Sequence, residues 1–89
     1  MTVSVDIHVS GHPDRYIGVT AEAQEAVRLS FNPSALENVT ILKALASAFI
    51  SHCDAVMAAK PEAGREFAVA KTNMQTASMW AVLGATKGL

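Results

Sequence analysis

The sequence predicts an all-α fold: an antiparallel hairpin of two long helices, preceded by a short N-terminal strand or arm and a candidate short helix, and assembled as a homo-oligomer. Three observations carry this reading. Apolar residues recur at spacings of three and four over 35–59 and again over 65–86. Proline and glycine punctuate the gap between them, at Pro61 and Gly64. Both periodic stretches are poor in charge, so neither shows the clear polar face of a helix whose outer side meets water.

The first element expected is a strand over 2–9, where Val3, Val5, Ile7 and Val9 alternate with Ser4, Asp6 and His8. A lone strand does not persist in water, so this one must pair with another copy, pack on the helices or remain a loose arm. Ser10-Gly11-His12-Pro13-Asp14 ends it as a turn. The stretch 16–29 is ambiguous, with Thr20 placed to cap a short helix through Ala21, Ala23, Ala26 and Val27. Ser30-Phe31-Asn32-Pro33 interrupts it, because the residue before a proline is disfavoured in the α region.

Ser34 followed by Glu37 reads as a capping box, starting the first long helix near Ala35. Its apolar seam is Leu36, Val39, Leu42, Ala46, Phe49, Cys53 and Val56. The second long helix, from Arg65 to Thr86 with Gly88 as terminator, has a seam of Phe67, Ala70, Met74, Ala77, Ala81 and Gly84. Val69, Trp80 and Leu83 lie off that seam, so the second helix is apolar on more than one side. Other copies of the hairpin are expected to cover what a single copy leaves bare.

At 89 residues the chain forms one domain, arranged as an N-terminal arm over 1–30 and the helical hairpin over 31–89. Charged residues are 17%, against about 25% in soluble domains, and sixteen alanines inflate the 51% of hydrophobic residues. A net charge of −1 argues against a DNA partner bound through a basic surface. The single cysteine, Cys53, excludes an intrachain disulfide framework and a Cys-based zinc site, and no cofactor is expected. No signal peptide is expected. The longest charge-free stretch, 72–86, spans fifteen residues and contains Asn73, Gln75 and Thr76, too short and too polar to cross a bilayer.

Phe31-Asn32-Pro33, a helix bearing Lys43 and Ala48-Phe49-Ile50, Pro61, Gly64-Arg65-Glu66, Ala68 to Lys71-Thr72, and Ala77-Ser78-Met79-Trp80-Ala81 form a joint pattern. From Leu29 to Thr86 it resembles the helical-hairpin domain of phage anti-CBASS cyclic-oligonucleotide sponges, which also occurs in anti-Thoeris sponges. The second-helix run is its most specific part, and residues 1–28 lie outside it. The resemblance implies compact homohexamers in the cytoplasm of the infected host. It also implies that cyclic dinucleotides such as cGAMP, and often cyclic trinucleotides, bind between protomers and are sequestered without cleavage.

A cyclic dinucleotide needs cations or helix N-termini for its phosphates and flat side chains for its bases. Lys43 is the only charge between Glu37 and Asp54. On spacing alone it is a lysine whose stem covers apolar surface; the resemblance assigns it to phosphate. Phe31 stands where the family carries a base-stacking tyrosine, keeping the ring and losing the hydroxyl; otherwise it staples the first turn near Val39. Asn32 offers an amide to a base edge or holds its turn.

Arg65 opposes the dipole at a helix start and so points to an anionic partner, either Glu62 or a ligand. Lys71 and Thr72 match a polar pair that the resemblance links to a separate trinucleotide site. The plainer readings are a solvated lysine and a threonine bonded to its own helix backbone. Trp80 and Met79 are read as core or interprotomer contacts. His52-Cys53-Asp54 is no catalytic triad, since neighbours on a helix point about 100° apart, and His8 with His12 make a poor metal site. No enzyme activity is expected. The competing readings are a structural oligomer without a small ligand, such as a virion-assembly or interaction module, and a protein that inhibits an effector by docking on it.

Overall fold

The computed structural model describes residues 2–89. The order is β1 (Ser4–Ile7), β2 (Arg15–Gly18), α1 (Ala21–Ala26), α2 (Glu37–Ala59), a 3-10 turn (Pro61–Ala63) and α3 (Gly64–Ala85). The long-helix hairpin and the short helix are therefore present. The all-α expectation is corrected at the N-terminus: β1 pairs antiparallel with β2 of the same chain, with Val5 opposite Ile17 and Asp6 opposite Tyr16. The Val19 amide extends the ladder by donating to the Val3 carbonyl at 2.9 Å. β2 escapes sequence reading because Arg15-Tyr16-Ile17-Gly18 lacks the apolar–polar alternation that runs through 2–9. Only part of the expected apolar face of β1 is covered. Val3 and Val5 are half-buried, whereas Ile7 and Val9 are exposed.

Thr20 caps α1 as expected, its hydroxyl accepting from the Ala23 amide at 3.1 Å. The helix ends in a Schellman closure: the Leu29 amide donates to the Gln24 carbonyl and the Arg28 amide to the Glu25 carbonyl. Arg28 takes the left-handed position at φ 52°. Leu29 follows it into the core.

The capping box does not form. Ala35 adopts φ 55°, and α2 starts at Glu37 with Leu36 at the N-cap and no side-chain cap bond. The Ser34 hydroxyl instead donates to Asn32 Oδ1, and the Ala35 amide closes a turn on the Asn32 carbonyl. A turn built around Asn32 and Pro33 draws away the Ser34 side chain, whose oxygen the capping box needed as acceptor.

α2 is the central element. It is long and apolar enough to cross a bilayer, yet the β-hairpin, α1 and α3 all pack on it. The main core joins Val19, Ala23, Val27 and Leu29 to Ala46, Ala48 and Ile50 of α2, with Val3, Val5, Ile17 and Met74 against it. Both seams are largely kept: Val39, Ala46 and Cys53 of α2 are buried and Phe67, Ala70, Met74 and Ala81 of α3 half-buried, with departures on each helix. On α2, Lys43, Ser47, Ile50 and Ser51 are buried while Phe49 is exposed. On α3, Ser78 is buried and Val82 and Ala85 are half-buried, while Ala77 and Gly84 are exposed. A helix packed on two sides needs small residues where neighbours come close. Ser47 and Ser51 fill that role with their hydroxyls satisfied, Ser47 donating to the Ala44 carbonyl and Ser51 accepting from the Thr20 amide.

Candidate functional site

At the open end of the hairpin, the Arg28–Leu36 loop, the first turns of α2 and the C-terminal turn of α3 enclose a groove of about 350 Å³. Phe31, Asn32, Pro33, Lys43, Val82 and Thr86 are among its walls. Three sequence-predicted site residues thus share one concavity.

Lys43 projects from α2 into the fold and is 7% exposed. Its ammonium donates to the carbonyls of Arg28 and Phe31, tying the loop to the helix. Burial, and then the charge of Arg28, hold its pKa below the ordinary lysine value. The stem-covering reading from spacing is incomplete, because the head group goes inward rather than to water. Two of the three ammonium donors are used by these carbonyls.

Phe31 is 52% exposed. The Arg28 guanidinium carbon lies 4.4 Å from its ring centroid and Lys43 Nζ 5.6 Å. This exposed aromatic is therefore flanked by two cations. Asn32 holds its turn: its amide nitrogen donates to the Leu36 carbonyl at 2.9 Å and to Thr40 Oγ1 at 3.1 Å. Its Oδ1, which accepts from Ser34, keeps one lone pair for a further donor.

The remaining site candidates lie apart. Arg65 is exposed in the first turn of α3. Seventeen residues separate it from Val82, about 26 Å along the helix, so one chain does not bring it to the groove. Lys71 bridges α3 to α2 through Asp54 at 2.6 Å, both side chains half-buried. Thr72 faces elsewhere, into a second groove of about 300 Å³ that it shares with Arg28, Gln75, Thr76 and Met79. Its carbonyl accepts from the Thr76 hydroxyl. Lys71 and Thr72 therefore do not converge within one chain.

Trp80 and Met79 are 69% and 67% exposed, which removes the core reading for a single chain. Cys53 is buried, and burial pushes its thiol pKa up, followed by Asp54, with Lys71 opposing. No metal-ligating cluster occurs among the described residues.

Residues 21–86 match the family model described as Acb2/Tad1, hairpin domain. The chain belongs to that family. The match covers α1, α2 and α3 and begins eight residues before the resemblance read from sequence, so α1 is part of the family domain and the β-hairpin lies outside it. It supports assignment to the anti-CBASS and anti-Thoeris sponges. No curated protein and no solved structure matches the chain.

Arg28 was missed by sequence reasoning. A helix stop without glycine, at Val27-Arg28-Leu29, was the available signal: some other residue then has to take the left-handed position.

Proposed function

We propose that this protein is a phage immune-evasion sponge, which binds cyclic di- and trinucleotide messengers in the bacterial cytoplasm and withholds them from CBASS effectors without cleaving them. Membership of the Acb2/Tad1 hairpin family supports the class. The observation that carries the reading to this chain is the convergence of Phe31, Asn32 and Lys43 on one groove beside an unpaired arginine.

In this reading a base stacks on Phe31, a phosphate meets the remaining Lys43 donor, and Asn32 Oδ1 accepts from a base edge. Arg65 serves the same ligand only if another copy supplies it, since its own chain keeps it distant. The pocket is thus an interprotomer one in a homo-oligomer, with a hexamer expected. Lys71 and Thr72 serve a separate site for the larger ring, for which Lys71 must leave Asp54. The exposed Val69, Met79, Trp80 and Leu83 support assembly.

Isothermal titration with a panel of cyclic di- and trinucleotides tests the proposal, with native mass spectrometry reporting copy number and ligand count. Saturable heat with ligand recovered intact supports a sponge. Heat with none of them removes it. The same oligomer mass without any ligand-induced thermal shift favours a purely structural assembly, which the exposed apolar face alone would equally suit.

A further inference from the structure

We propose that Arg28 is a ligand-contacting residue at the edge of this groove, its guanidinium backing the Phe31 ring on which a base stacks and supplying a second positive charge to an anionic phosphodiester. This rests on the sponge reading and deepens it.

Arg28 occupies the position of a Schellman closure at which glycine is normal, at φ 52°. A side chain in that conformation is strained, and strain of this kind persists where the surroundings enforce it, often at binding sites. Here Lys43 enforces it, by holding the Arg28 and Phe31 carbonyls together. Lys43 therefore positions the loop as well as lining the groove.

The guanidinium stands 4.4 Å from the Phe31 centroid, and the ring still has open surface for a base. The result is a stack of guanidinium, phenyl and base, with the N–H edges of Arg28 free to fork onto phosphate oxygens. No carboxylate neutralises the pair: the ion pairs among the described residues are His8–Asp14 and Lys71–Asp54. Two cations around one exposed ring repel each other until an anion joins them. Burial first, and the Arg28 charge second, lower the Lys43 pKa. Arg28 itself lines the neighbouring groove that contains Thr72, and it reaches the first groove through its contact with the Phe31 ring.

The test is calorimetric titration of wild type, Arg28→Gln, Arg28→Lys and Arg28→Gly with cyclic GMP-AMP, cyclic di-AMP and cyclic di-GMP, alongside Tm and native mass. A charge-assisted hydrogen bond supports an expected loss of about tenfold or more for Arg28→Gln and Arg28→Gly. Arg28→Lys keeps the charge but not the planar fork, and falls between them and wild type. Arg28→Gly should lose affinity while its Tm holds or rises, because glycine accepts the left-handed position without strain. Affinity within about twofold of wild type in Arg28→Gln overturns the proposal and leaves the sponge reading standing. Parallel loss of Tm and binding in Arg28→Gly also overturns it, since Arg28 would then act through the fold. No heat from wild type with any of the three defeats the cyclic-dinucleotide reading itself, and this proposal with it.

Discussion

Burying Lys43 takes an ammonium out of water and returns only carbonyl dipoles. The neutral amine still offers two N–H groups to those carbonyls, so the fold loses little when the proton leaves. The folded pKa lies below the unfolded value of 10.5, through burial first and Arg28 second. Between the two values the unfolded chain binds more protons, and stability rises with pH across that window. Below the window the full penalty of charging persists. Cys53 acts in the opposite sense: its raised folded pKa makes stability fall once the unfolded thiol ionises, above the ordinary value of 9.0. Lys43→Met keeps Cys53 and cancels that contribution. The urea-unfolding free energy of wild type, measured relative to Lys43→Met, should therefore grow as the pH rises towards 10.5. A flat difference means that Lys43 is not desolvated. The sequence marked this residue through its isolation among apolar neighbours, but it gave no sign of the inward head group. That depends on two loop carbonyls 12 and 15 residues away.

Among the elements, α1 shows what local patterning conveys and what it misses. The Thr20 cap was readable because it needs only three consecutive residues beyond it. The end of α1 was harder to read, since its Schellman closure puts Arg28 where glycine is the usual marker. β2 was hidden by its lack of alternation, and the α2 start by competition for the Ser34 hydroxyl. Each failure occurs where a short side-chain bond or a distant partner overrides the local pattern. α1 nevertheless has a sharply constrained centre: Ala23 is 2% exposed in the core shared with α2. Adding bulk there forces α1 away from α2 and disturbs the closure that presents Arg28. Ala23→Met should cost about 1–3 kcal/mol by chemical denaturation. A neutral result would show that α1 packs more loosely than its burial implies.

At the scale of the molecule, the chain is 43 × 30 × 24 Å, with its principal core concentrated where α1 and the β-hairpin meet α2. The depletion of charge along both long helices was legible in the sequence, and the structure gives it a location. Ile41, Leu45 and Phe49 stand exposed on α2, and Val69, Met79, Trp80 and Leu83 on α3. Of these, only Phe49 falls in the seam read from spacing; periodicity reports that a face is apolar, not which neighbour covers it. Burial of an exposed tryptophan against a second copy removes a large apolar area from water, and aromatic residues dominate such contacts. A carboxylate at the same point would have to be desolvated without a partner. Trp80→Glu should therefore reduce the particle mass in light scattering towards the 9.4 kDa of one chain, with helical circular dichroism retained. It should also abolish nucleotide binding although Phe31, Asn32 and Lys43 are untouched, because the proposed pocket requires two chains. Binding that survives in a folded monomer would place the whole site on one chain. A wild-type monomer at micromolar concentration would refute assembly outright.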